Sequence, residues 1–226
     1  MNVLTNNHSV NMLSQNRHRR NLFGILCALA LALIITSAPS ANGVFKFAGA
    51  AFAATPQKNI NNSGDFLTYN NASYGVNIQY PHNWSSSPGE GNDNSGDSST
   101  DIASFSPKDS SSSASLDVLV DNIDSGENLK QYVSDSISDD KTDLKNFTVS
   151  EPIFNGVNLA GSPAYKLIYS YTDQGQNFKG LETGTIIGNK AYFIQYENSP
   201  SKFDSDLPTI QKMIDSLTLA NIHNTG

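Results

Sequence analysis

The sequence predicts an α+β domain, an antiparallel sheet with helices laid on it. Two observations predict it. The stretch from Ala164 to Leu219 reads strand, turn, strand, tight turn, strand, helix. The elements before it follow the order strands, helix, more strands, rather than alternating strand–helix units, which points to an antiparallel sheet.

The elements follow in order. Phe66 to Tyr69 and Val76 to Tyr80 form a hairpin across Asn70–Gly75, and Pro81 ends its second strand. Trp84, the only tryptophan, reads as core. Ser85 to Thr100 is almost purely Ser, Gly, Asn, Asp, Pro and Glu, and reads as a mobile surface loop. A short strand surrounds Ile102 and Phe105, and Leu116, Val118 and Val120 alternate in another. Ser125 is the expected cap of a helix whose apolar stripe is Leu129, Tyr132, Val133 and Ile137. That helix ends between Ser138 and Leu144, where Asp139, Asp140 and Asp143 are poor helix formers. Phe147 to Glu151 and Ile153 to Leu159 supply one or two strands, and Gly161-Ser162-Pro163 turns into the closing unit.

In the closing unit Tyr165, Leu167, Tyr169 and Tyr171 alternate with Lys166, Ile168 and Ser170. Asp173 to Asn177 is a turn, Phe178 to Ile187 a strand, and Gly188-Asn189-Lys190 reverses it. Ala191 to Glu197 is the next strand. Phe203, Leu207, Ile210, Ile214 and Leu217 then fall on one helical face. There are no internal repeats and no coiled-coil heptads.

The N-terminal part is of another kind. All three arginines, Arg17, Arg19 and Arg20, precede the uncharged run Leu22 to Ala38. A basic flank, an apolar run and small residues mark an export signal, with candidate cleavage after Ser40 or Ala53. The run is 17 residues long, so an uncleaved membrane anchor is the alternative reading. Either way the remainder is sent out of the cytoplasm. Residues 1–53 are therefore assigned to a signal peptide or anchor, 54–64 to an Asn-, Pro- and Ser-rich linker, 65–220 to one domain and 221–226 to a polar tail. Cys27, the only cysteine, lies in the apolar run after Gly24-Ile25-Leu26 and does not form a lipoprotein site. The exported part then has no disulfide, thiol nucleophile or zinc–thiolate site.

After Ala53 the chain carries ten lysines, no arginine and all 21 acidic residues, a balance of −11. That excludes nucleic acid as a partner, since phosphate recognition depends on clustered Lys and Arg. Only His82 and His223 offer imidazole there, and no Gly-x-Ser-x-Gly segment exists, so nucleophilic catalysis is not expected.

Three segments together carry a resemblance. Tyr74-Gly75-Val76-Asn77-Ile78-Gln79-Tyr80-Pro81-His82-Asn83-Trp84 has an aromatic and Gly, an alternating strand, Tyr-Pro, and a Trp after two further residues. Gly161-Ser162-Pro163-Ala164-Tyr165 opens a strand ending in Tyr-Ser-Tyr. Gly188-Asn189-Lys190-Ala191-Tyr192-Phe193-Ile194 is followed by an acidic segment and Ile214-Asp215-Ser216-Leu217. In this order they resemble the PsbP family, the extrinsic photosystem II proteins and their non-photosynthetic relatives, over residues 66 to 219. The resemblance implies an α/β/α sandwich with a central, mostly antiparallel sheet flanked by helices. It also implies an accessory or binding protein rather than an enzyme. Photosystem-associated members support calcium and chloride retention. The Ser/Asn-rich insert at 85–100 and the lack of arginine depart from the plant pattern, so a general extracytoplasmic relative fits better. The expected partner is a membrane or surface protein complex, or a small ligand between sheet and loops, with the N-terminal segment in contact with the membrane.

Three sets of candidate site residues remain. Asp93, Asp97 and Asp101 recur every four residues, and oxygen ligands suit calcium. The EF-hand spacing fails, because aligning Gly96 to its glycine puts Gly91 at the first ligand position. Asp139, Asp140 and Asp143 form a second acidic group. Asn-x-Ser/Thr glycan acceptors occur at Asn61, Asn71, Asn83 and Asn146.

Overall fold

A computed structural model describes residues 65–89, 99–109 and 111–220. The Leu22–Ala38 run, the 54–64 linker, and the 221–226 tail with His223 lie outside the described residues. A large sheet runs in the order β3 (Trp84–Pro88), β4 (Ser99–Pro107), β5 (Ser115–Asn122), β10 (Lys190–Asn198), β9 (Gln176–Ile187), β8 (Ser162–Asp173) and β6 (Lys145–Val149). The short β7 (Asn158–Leu159) pairs with β8. A second sheet has the order β1 (Phe66–Asn71), β2 (Val76–Pro81) and β11 (Thr218–Leu219). Every pair among the described strands is antiparallel. Two helices complete the fold, α1 (Leu129–Asp143) and α2 (Pro200–Ser216).

The two faces of the large sheet are covered differently. On one, Leu116, Val118, Val120, Ile194 and Tyr196 meet Phe203, Ile210 and Met213 of α2 and Val76, Ile78 and Tyr80 of β2, all buried. On the other, Tyr165, Leu167, Tyr169 and Ala191 pack with Tyr132 and Val133 of α1. The sandwich is thus helix, sheet, and a mixed layer of helix plus small sheet. That extra β layer departs from the α/β/α arrangement the resemblance implies.

Alternation and turn chemistry place most elements. The β8–β9 turn is narrower than the Asp173–Asn177 expectation. Only Gln174 and Gly175 stand outside the strands, both with positive φ (46° and 81°), as a tight hairpin with a primed turn requires. Gly75 carries a different demand. At φ 64° its carbonyl accepts a hydrogen bond from the Ala220 amide (2.6 Å), and a Cβ there would lie 1.9 Å from the Ala220 carbonyl oxygen.

Three sequence expectations need correction. The predicted 85–100 loop contains strand at both ends, since β3 begins at Trp84 and β4 at Ser99. β3 is an edge strand of three serines held by backbone pairing to β4, and an edge strand needs no apolar alternation. The cap of α1 is Asn128, not Ser125; the Asn128 side chain accepts from the Lys130 and Gln131 amides, both at 3.1 Å. Between Ile153 and Leu159 there is one isolated bridge, Ile153 to Lys166, and the two-residue β7. Helix α2 is joined to the sheets by polar contacts at Asp206 and at its last residue, Ser216. The Tyr196 hydroxyl and the Asn198 amide both donate to Asp206 Oδ2 (2.8 Å), and the Gln79 amide donates to Ser216 Oγ (2.8 Å).

Candidate functional site

The α1 side of the large sheet carries the chemistry. Antiparallel register sets residues of one parity side by side on that face. Leu167 faces Glu182, Glu182 faces Gln195, Gln195 faces Asp117, and Asp117 faces Ser104. A polar row therefore crosses β9, β10, β5 and β4. Glu182, Gln195 and Asp117 are 3%, 5% and 2% exposed. The neighbouring row adds Glu197 opposite Ser115, and the row on the other side adds Asp101 opposite Leu119. Asp121 lies one further step along β5 and is buried.

Tyrosine hydroxyls serve these acids. Tyr165 donates to Glu182 Oε1, and the Gln195 amide donates to Glu182 Oε2 at 2.9 Å. Tyr169 donates to Glu197 Oε1 at 2.7 Å and Tyr171 to Glu197 Oε2 at 2.9 Å. From α1, Tyr132 donates to Asp121 Oδ2 at 2.5 Å. Two glycines make the reach possible. Tyr169 stands on β8 and Glu197 on β10, with β9 between them. The Tyr169 ring lies over Gly180, where a Cβ would come 2.2 Å from the ring's Cζ. Gly184 does the same for Tyr165, at 2.8 Å from its Cε1. Phe147, Tyr169, Tyr171 and Phe178 continue as a row of rings with centroids 6.1, 6.2 and 5.4 Å apart.

This environment disfavours charge. Burial pushes the Asp117 carboxyl up to about 8. A Ser104 hydrogen bond opposes that rise, the charges of Asp101 and Glu197 add to it, and a Ser115 hydrogen bond opposes it. Burial also raises Glu197, against the lowering by the Tyr169 and Tyr171 hydroxyls and with the Glu182 charge adding. Tyr169 is raised well above the usual phenol value, first by burial and then by Glu197 and Glu182. The lysines of β8, β9 and β10 (Lys166, Lys179, Lys190) occupy the opposite parity.

Of the residues singled out in the sequence, Asp101 borders this polar row. Asp93 and Asp97 fall outside the described residues. Asp101 is half-buried on β4, and the described residues contain no group of three His, Cys, Asp or Glu able to hold a metal ion. On α1, Asp139 is half-buried, Asp140 buried and Asp143 exposed. Asn61 lies outside the described residues. Asn71 is half-buried and donates its side-chain amide to the Ile102 carbonyl (3.3 Å). Asn83 is exposed in the β2–β3 turn beside buried Trp84. Asn146 is exposed, at φ 56°, and donates to Thr172 Oγ1 (3.2 Å). His82 is exposed.

The inward acids were missed because parity alone assigns Asp117, Asp121, Glu182 and Glu197 to a solvated face. The available signal was the density of tyrosine on β8, together with Gly180 and Gly184 inside β9.

The PsbP-like protein family matches residues 28–219. The chain belongs to that family. No curated protein matches the sequence. Among solved structures, the PsbP-like chain is similar to cyanobacterial PsbP (CyanoP) from Synechocystis sp. PCC 6803. The two share 14% identity with a TM-score of 0.52, over 73% of this chain and 99% of that one. It is also similar to LpqN, described as involved in cell envelope biogenesis of Mycobacterium tuberculosis, at 12% identity, TM-score 0.48, and 64% and 82% coverage. A Pseudomonas aeruginosa protein of unknown function, PA94, is similar at 12% identity, TM-score 0.42, and 66% and 93% coverage. At these identities the likeness concerns the fold. Among the described residues of the PsbP-like domain, no helix is long and apolar enough to cross a membrane.

Proposed function

We propose that this PsbP-like chain is an exported, non-enzymatic accessory protein. It works by binding a membrane or surface protein complex at the outer face of the membrane or cell. The observation that carries this reading is the pairing of its inward acids. Glu182 holds Tyr165 and Gln195, Glu197 holds Tyr169 and Tyr171, and Asp121 holds Tyr132. A general base must come within hydrogen-bond reach of a substrate proton, and Glu182 is only 3% exposed. Here both oxygens of Glu182 and of Glu197 already accept fixed donors, so these carboxylates tie the sheet together. Such a domain offers its edges and loops for recognition. Family membership and the basic-then-apolar N-terminal pattern support the same reading.

The test is affinity capture of the tagged full-length chain from its native membranes and medium, read by mass spectrometry together with the mature N-terminus. A reproducible membrane-complex partner is expected. A free monomer in the medium with no partner would overturn the accessory role.

A further inference from the structure

The row Glu182–Gln195–Asp117–Ser104 runs from the centre of the sheet toward its β3–β4 edge. Its two acids are not equivalent. Glu182 receives a hydroxyl and an amide. Asp117 is as deeply buried, yet its Oδ1 has no hydrogen-bond partner among the described residues. Gln195, directly opposite, turns its amide nitrogen toward Glu182, to which it donates.

The groups around Asp117 can be taken element by element. β4 presents Ser104 and Asp101, and β10 presents Gln195 and Glu197. Along β5 itself stand Ser115 and Asp121, the latter held by Tyr132 of α1, which also buries Asp140. Beyond β10 lie Glu182 on β9 and the hydroxyls of Tyr165 and Tyr169 on β8. The two charges that bear on Asp117, Asp101 and Glu197, are both negative. An ionised Asp117 would be a buried charge without a counter-charge, which is costly. A protonated one supplies a donor to the row.

We propose that Asp117 is a proton-operated latch on the β3–β4–β5 side of the sheet, closing the cross-strand row when protonated and releasing that edge when ionised. This side is the weaker one by construction. β4 carries a register break between Asp101 and Ala103, and β3 is a five-residue, serine-rich edge. The β8–β9–β10 side is held by the completed tyrosine–carboxylate pairs. The raised carboxyl value of Asp117 agrees with this assignment. An opening that frees Asp117 becomes easier as pH rises from the ordinary carboxylate range toward 8, by up to about tenfold per pH unit for one proton, and levels off above it.

Two measurements on the full-length chain test the latch. One follows the side-chain carboxyl carbon of Asp117 by NMR across pH 4–10. The other follows amide-exchange protection, corrected for intrinsic rates, in wild type and Asp117→Asn. The expected Asp117 midpoint lies at least two pH units above that of exposed Asp109. Protection in β4 and β5 falls about tenfold per pH unit between pH 5 and 7 in wild type and stays flat in the variant. At pH 8, β4 and β5 amides exchange at least about tenfold faster than those of β8 and β9. An Asp117 that titrates alongside Asp109, or protection uniform across the sheet at pH 8, overturns the proposal. The wild-type data decide the matter even if the variant does not fold.

Discussion

On the α2 side of the large sheet, Leu116, Val118, Val120 and Ile194 are buried against Phe203, Ile210 and Met213. One residue further along the same strands, on the α1 side, stand Asp117, Asp121 and Gln195, buried to a similar degree. The first face is stabilised by removing apolar area from water, at roughly 25 cal/mol per Å². The second holds together only while each acid keeps a donor. The difference teaches where this domain is robust and where it is conditional. Apolar packing has no proton dependence, whereas buried carboxyls do.

Phe203→Ala should produce the largest loss. The ring is fully buried, stacks on Tyr196 at a centroid distance of 5.5 Å, and lies under the Lys179 ammonium at 4.5 Å. A loss of about 3–5 kcal/mol in urea unfolding is expected, equal at pH 5 and pH 8. A loss that varies with pH would break the comparison between faces.

Tyr169→Phe acts on the other face. It removes a donor from Glu197 and should cost about 1.5–3 kcal/mol, as for hydrogen bonds to charged groups. Tyr171→Phe should cost less, because that tyrosine is half-buried. Equal costs would show that burial does not govern these pairs.

Gly180→Ala probes the same contact sterically. Its methyl group would collide with the Tyr169 ring, at about 1–3 kcal/mol. Combined with Tyr169→Ala, the two losses should sum to more than the double variant shows. Strict additivity would mean that the ring does not rest on Gly180.

The smallest effect concerns the cover of the polar face. Asn128→Ala should weaken α1 by about 0.5–2 kcal/mol, whereas Ser125→Ala should change stability by less than about 0.5 kcal/mol. The reverse order in thermal unfolding would restore the sequence-based cap.

Most of the architecture was legible because alternation and turn residues act locally. The β8–β9–β10–α2 unit follows from Tyr165 to Leu217 with shifts of only a few residues at its ends. β3 was not legible, since three serines carry no periodicity and their strand state comes from pairing with β4. The cap of α1 was misplaced because Ser125 and Asn128 are both acceptable cap residues, and only the side-chain geometry separates them. The carboxylate–tyrosine face was illegible for a deeper reason. Strand parity says which residues share a face, and nothing local says that a helix will cover it.

The most direct test of the contrast between the faces is the pH dependence of unfolding free energy for the full-length chain between pH 5 and 8. Asp117 has a raised value in the fold, so its stabilising share is complete below the ordinary carboxylate value and is lost as pH climbs to about 8. Stability should therefore fall with pH, by up to about 1.4 kcal/mol per unit for one proton. Phe203→Ala should lower the curve without changing its slope, and Asp117→Asn should make it shallower, leaving the share of Glu197. A wild-type curve that is flat or rises over this range would contradict the account.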